Sequence, residues 1–178
     1  MNIYKIKERL INMKNYVKEG QKLPMYGVGP YLIFSIVLIT ALCIILFNYV
    51  FEIGVVEGSW IVIFRIIGIL FILSGIIIWF TGAFKSDMDE SITDNKLKTD
   101  GIYACVRNPM YTGCWFLSIG VSLMWHNVLL VPLILVGWIT LTIVLKNTEE
   151  KWLTDLYGQE YVAYKARVNR CIPWFPAK

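Results

Sequence analysis

The sequence predicts an all-α, polytopic membrane protein, organised as one membrane-embedded domain over residues 1–178. Three observations carry this expectation. Of the 178 residues, 57% are hydrophobic and the mean hydropathy is +0.58, above the roughly half apolar content of a soluble domain. The surplus is gathered into blocks long enough to cross a bilayer core of about 30 Å. The 17 Lys and Arg flank those blocks, with one exception inside them. About four transmembrane helices follow, the third and fourth joined as a tight helical hairpin, with a C-terminal amphipathic helix after them.

Residues 1–30 form a basic N-terminal segment with six Lys and Arg (Lys5, Lys7, Arg9, Lys14, Lys18 and Lys22). Ile3, Ile6, Leu10, Met13 and Val17 recur at spacings of three and four, which places them on one face of a helix lying on an anionic membrane surface. No unbroken apolar core precedes residue 31, so this is not read as a cleaved signal peptide. Gly27-Val28-Gly29-Pro30 reads as a turn before a membrane helix.

Residues 31–84 hold two spans. Tyr31 to Phe51 is apolar and uncharged, and Trp60 to Phe84 is interrupted only by Arg65, which is expected to snorkel to the interface or face a neighbouring helix. Between them lie only Glu52 and Glu57 as charged residues. Residues 85–178 begin with a polar loop to Asn108, then Gly113 to Trp125 and Val128 to Leu145. His126 and Asn127 alone separate these two runs, which demands the hairpin. The third run reaches spanning length only if its helix starts near Pro109 and includes Tyr111 and Thr112.

With four spans, sixteen Lys and Arg fall on one side and none on the other. The positive-inside rule then puts both termini and the central loop in the cytoplasm. Thr148 to Asn169 reads as one amphipathic helix, with Trp152, Leu153, Leu156, Tyr157, Tyr161, Tyr164 and Val168 as its apolar and interfacial aromatic face. Pro173, Trp174, Phe175 and Pro176 end it.

Several chemistries are excluded early. There is one histidine, His126, and the four cysteines (Cys43, Cys105, Cys114 and Cys171) show no metal-ligand spacing, so an imidazole-rich metal site or a Ser-His-Asp triad is not expected. No basic, aromatic-interleaved groove points to nucleic acid.

The polar, aromatic and turn residues crowd into Lys96 to Gly113. Asn108 suits a helix N-cap and Pro109 the first helical position. Arg107 and Asn108 are thus expected at the positive end of the third membrane helix, with free backbone N–H groups that favour a carboxylate or phosphate. Plain capping and an interfacial arginine explain the same residues without a ligand. The hairpin returns Glu149 and Glu150 to that face, where they can meet Arg107 and Tyr111. Tyr103 and Tyr111 offer ring faces for an adenine or a sulfonium, or serve only as interfacial anchors.

LKTDGIYACVRNPMYTG, followed after a hydrophobic hairpin by TEEKWLTDLYGQEYVAYKARVNRCIP, resembles the isoprenylcysteine carboxyl methyltransferases and their phospholipid methyltransferase relatives. The resemblance covers residues 96 to 173. It implies a membrane-embedded enzyme that uses S-adenosylmethionine and a lipophilic acceptor, either an isoprenylcysteine-type carboxylate or a phospholipid amine. By position, Asn95, Lys96, Leu97 and Lys98, then Tyr103, then Asn108, Pro109, Met110 and Tyr111, and finally Glu149 match the cofactor-contacting positions. Arg107 and Glu150 are the expected catalytic pair. Arg107 would orient an anionic or zwitterionic acceptor, or pair with Glu149 or Glu150.

Two residues depart from the pattern. Asn108 stands where the family usually has His, so no general base is available there near neutral pH. Leu145 stands where the isoprenylcysteine enzymes carry an arginine linked to their substrate. Two competing classes remain: a nicotinamide-dependent membrane reductase of sterol-reductase-like architecture, and a non-catalytic membrane adaptor with a decayed site.

Overall fold

A computed structural model describes residues 28–84 and 96–175. The basic helix expected over the first thirty residues lies outside them up to residue 27, and so does Asn95. The described residues are helical, and their one β-bridge is isolated.

Helix α1, Gly29–Ile45, starts with Pro30 in its first turn and runs on through a π-helical turn, Leu46–Val50. Helix α2 covers Trp60–Phe84. After the central loop, a short 3₁₀ turn at Gly101–Ala104 leads to α3, Pro109–Met124. Another 3₁₀ turn, Val128–Leu130, leads to α4, Pro132–Asn147. Helices α5, Glu149–Tyr157, and α6, Gln159–Arg167, complete the order.

Three helical stretches among the described residues are long and apolar enough to cross a membrane: Gly29–Val50, Trp60–Phe84 and Val128–Tyr157. The third apolar run of the sequence does start its helix at Pro109, but that helix has 16 residues and rises about 24 Å, short of a span by length. It nevertheless runs beside α2. A glycine seam brings the two helices together: Gly68, Gly75 and Gly82 recur every seven residues along α2 and meet Gly120, Gly113 and Pro109 of α3. A Cβ on Gly113 would stand 2.6 Å from Trp79 Cβ and 2.8 Å from the Gly75 carbonyl oxygen. Without a hydrophobic drive inside lipid, such close backbone approach is the source of packing energy between helices.

At the end of the bundle away from the site, the α1–α2 connection is tied to the α3–α4 turn. Asn127 is buried there, donating to Ile53 O at 2.8 Å and accepting from Leu129 N at 2.9 Å. Trp115 bridges the hairpin, its indole donating to Ile134 O at 3.3 Å and lying against Gly137. Leu32 and Ile36 of α1, Tyr111, Trp115 and Ile119 of α3, and Leu141 and Leu145 of α4 form the core, with Cys171 of the tail beneath them. The outward faces of α1, α2 and α4 are lined with exposed Ile, Leu, Val and Phe, as lipid-facing surfaces are. Arg65 lies exposed on α2.

The tail differs from the single helix expected over Thr148 to Asn169. It breaks at Gly158, whose φ of +55° is a left-handed conformation that glycine adopts without steric cost. Tyr161 and Tyr164 are not interfacial anchors: with Leu156, Tyr157 and Val168 they form a second, buried core, covered by Leu97 and Leu153.

Candidate functional site

The site is built where α3 begins. Past α6, residues 169–174 run alongside the start of α3. Arg107 N–H donates to Asn169 O at 2.9 Å and Asn108 N–H to Arg170 O at 3.2 Å. Farther along, Thr112 Oγ1 donates to Cys171 O at 3.1 Å and Trp174 N–H to Cys105 O at 3.0 Å. Asn108 occupies the N-cap position without capping: its side-chain Nδ2 donates to the same Arg170 carbonyl at 3.1 Å. The backbone N–H and the side-chain amide N–H of Asn108 are therefore both engaged by the tail.

Tethering the tail here delivers Arg170 to Glu150. Arg170 donates from Nε to Glu150 Oε1 at 2.5 Å and from Nη2 to Oε2 at 2.9 Å. From the other side, Arg107 Nη2 lies 2.9 Å from the same Oε1. The Arg107 and Glu150 side chains are each only 7% exposed. One carboxylate thus serves two guanidinium groups, and the buried cluster carries a net positive charge. The bidentate carboxylate raises the affinity of Arg170 for its proton. Arg107 Nε and Nη1 are buried with no hydrogen-bond partner among the described residues.

Around the cluster lies an open pocket of about 790 Å³, walled by α4, α5 and α6. Lys146, Lys151 and Lys165 join the two arginines on its wall, against the carboxylates of Glu150 and Asp155.

A second polar pair lies on the core side. Tyr111 donates its hydroxyl to Glu149 Oε1 in a short hydrogen bond, and the Val28 backbone also bonds this carboxylate. Gly29 permits the approach, since a Cβ there would stand 2.8 Å from the Tyr111 hydroxyl oxygen. The start of α1, the start of α3 and the start of α5 therefore converge at one end of the bundle.

The remaining sequence-derived positions divide between contacts. Leu97 packs on the tyrosine core, and Lys98 pairs with Asp100 at 3.0 Å. Lys96 and Met110 are exposed. Tyr103 is buried, and its carbonyl accepts from Tyr164 Oη at 2.6 Å. Pro109 is buried against α2 at Gly82. Burial pushes the Tyr161 hydroxyl up to about 12 and that of Tyr164 well above its ordinary range, so both remain neutral hydrogen-bonding groups.

Sequence reasoning missed Arg170, the pocket lysines and Tyr157. Arg170 counted only toward membrane orientation, and the one available signal was its place three residues before Pro173. Tyr157 is buried in the second core with its hydroxyl unpartnered among the described residues.

Comparison with known proteins agrees with this architecture. Residues 61–160 match the family described as phospholipid methyltransferase. The protein-S-isoprenylcysteine O-methyltransferase of Schizosaccharomyces pombe is 36% identical over 86 residues, covering 47% of this chain and 35% of that protein. That of Tribolium castaneum is 34% identical over 86 residues, covering 48% and 30%. Methanethiol S-methyltransferase 1 of Bradyrhizobium diazoefficiens is 37% identical over 82 residues, covering 46% and 28%. The matched segment is thus about a third of the length of these relatives. No solved structure matches the chain. The family match runs from α2 through the central motif and the hairpin into α6, more than half of the sequence, and the chain belongs to the phospholipid methyltransferase family.

Proposed function

We propose that the chain is a membrane methyltransferase that moves a methyl group from S-adenosylmethionine to a lipophilic acceptor, with the site at the cytoplasmic face. The observation that carries this reading is the meeting of the two motif segments at one end of the bundle, through Tyr111–Glu149 and Arg107–Glu150–Arg170.

The residues present fit the donor. Glu149 offers a carboxylate in a largely apolar setting for a cationic or hydroxyl-bearing group, and Tyr103 and Tyr111 offer aromatic faces. Tyr157 supplies a buried hydroxyl that lacks a partner among the described residues, as a ligand-completed site would leave it. Bound S-adenosylmethionine supplies an electrophilic methyl on a sulfonium. Leu97, Tyr103, Tyr111 and Glu149 would hold it, with Lys96, Lys98 and Asn108 to Met110 around them. In-line transfer asks no nucleophile of the chain, whose work is orientation and exclusion of water.

Arg107 and Glu150 act here as positioning residues, locking the start of α3 to α5 so that the two halves of the site keep their register. Asn108 has no proton to exchange near neutral pH, so it is not a general base for the acceptor. Leu145 is fully buried in the apolar core and puts no charge where a prenylcysteine carboxylate would be held. Nothing among the relatives favours the nicotinamide reductase.

The test uses the purified full chain with methyl-labelled S-adenosylmethionine, first for binding and then for label transfer to lipid in native membranes. Binding weakened by Glu149→Ala, together with labelled lipid, is the expected result. Base-lability of the label separates a methyl ester from an N-methyl product. Absence of donor binding overturns the assignment.

A further inference from the structure

The pocket behind the ion-pair cluster has a chemistry of its own. Its wall carries five cationic side chains, Arg107, Lys146, Lys151, Lys165 and Arg170, against two carboxylates. One of those two, Glu150, is already committed: both its oxygens are held by Arg170, and one is shared with Arg107. The other, Asp155, is exposed. Arg107 is more than nine-tenths buried, and two of its nitrogens, Nε and Nη1, lack a partner among the described residues while the side chain lines the pocket. Buried guanidinium N–H groups left unpaired are costly. An anion entering the pocket would relieve that cost.

Size and position point the same way. At about 790 Å³ the pocket falls within the roughly 300–1,000 Å³ of small-ligand sites. It lies where α4 leaves its apolar stretch, with Lys146 in the last turn of α4 and Lys151 and Lys165 on α5 and α6. We propose that this pocket is a binding site for a phosphate-bearing anion, separate from the methyl-donor residues on the Tyr111–Glu149 side. Guanidinium groups suit a phosphate through paired N–H donors, and the lysines add point charges. The group belongs either to the headgroup of an anionic lipid at the membrane surface or to a soluble phosphate compound. Neither source requires the chain to be a methyltransferase.

The experiment has two arms, both run without methyl donor. In the first, the full chain in detergent is titrated with pyrophosphate by calorimetry. In the second, the chain is released from nanodiscs of phosphatidylcholine containing phosphatidic acid, and retained lipids are counted by native mass spectrometry. The expected result is saturable, one-to-one binding in at least one arm, weakened about tenfold or more by the double change Lys151→Gln and Lys165→Gln, at roughly 1 kcal/mol per lysine at a membrane surface. Both lysines are exposed, so the variant keeps its fold. Arg167→Gln, a change at an exposed residue of α6 off the pocket wall, leaves binding unchanged. Binding in the first arm identifies a soluble-phosphate site, and retention in the second alone identifies a headgroup site. No binding in either arm, or equal loss in Arg167→Gln, overturns the proposal. Either outcome leaves the methyl-transfer reading to its own test.

Discussion

Replacing Glu150 with Gln should be the most damaging single polar change in the site. The substitution keeps the shape and one acceptor oxygen but deletes the carboxylate that, among the described residues, pairs with both Arg107 and Arg170, at contacts of 2.5 to 2.9 Å. Arg170 is 22% exposed and can turn outward, whereas Arg107, at 7%, cannot. Breaking a buried pair from one side costs about 3–5 kcal/mol. For a chain of this length that corresponds to a fall of roughly 6–20 °C in unfolding midpoint, measured by tryptophan fluorescence in detergent. The decisive comparison is the double variant Arg107→Met with Glu150→Leu. It removes both buried charges and should recover to within about 1 kcal/mol of the parent, because well-packed apolar groups replace ion pairs at little cost. If Glu150→Gln loses less than about 1 kcal/mol, or the double variant is no better than the single one, the cluster is not the lock described above.

Four further outcomes follow from the same geometry. Gly113→Ala should destabilise the α2–α3 seam by about 1–3 kcal/mol, since the new methyl meets the Gly75 backbone, which cannot yield; denaturant unfolding measures it. Tyr157→Phe removes a buried hydroxyl with no partner among the described residues, so stability should hold or rise while donor affinity falls, a split seen by pairing unfolding with a binding titration. Tyr164→Phe should cost about 1–3 kcal/mol by deleting the buried hydrogen bond from Tyr164 Oη to Tyr103 O, again read from unfolding. Alkaline pH should destabilise the fold. Burial pushes the Cys171 thiol up to about 12 from an ordinary value of 9 and the Tyr161 hydroxyl up to about 12 from 10. Between about pH 9 and 12 the unfolded chain therefore holds fewer protons than the folded one, and stability falls with rising pH by up to ~1.4 kcal/mol per unit per group. A stability profile flat to pH 11 would contradict this.

The physical reasons that some features are legible in the chain and others are not can be traced residue by residue. The spans at Tyr31–Phe51 and Trp60–Phe84 are legible because near-complete exclusion of charge over so long an apolar run, with Arg65 the one exception, has one common cause. Arg107, Tyr111 and the acidic pair stand out because charged, aromatic and turn residues crowd into Lys96 to Gly113 and a pair of acids follows the hairpin directly. The glycine seam was equally available, with a glycine at every seventh position from Gly68 to Gly82 and from Gly113 to Gly120, but period seven on a single helix says nothing of its partner until both helices are docked. The break at Gly158 is hidden because apolar spacing continues across it, from Leu156 and Tyr157 to Tyr161 and Tyr164. Those tyrosines illustrate a second ambiguity: an aromatic side chain suits an interface and a small buried core equally well.

Arg170 shows most clearly where composition misleads. In a count of positive charges it is one of sixteen assigned to the same side of the spans; in space it is the group whose backbone carbonyl holds Asn108 and whose side chain holds Glu150. Both contacts exist because α6 ends before Pro173 and the tail turns back along α3. The same turn places Cys171 in the bundle core and leaves Arg107 half satisfied. A tail that served only to finish the amphipathic helix would need neither. Its path instead couples the membrane core, the start of α3 and the cationic pocket through three successive residues, Asn169, Arg170 and Cys171. Truncation before Asn169 should therefore abolish donor binding and the phosphate-ligand binding of whichever arm shows it, while the three apolar spans still insert. Retention of either binding by the truncated chain would show that the tail is dispensable to that side of the site.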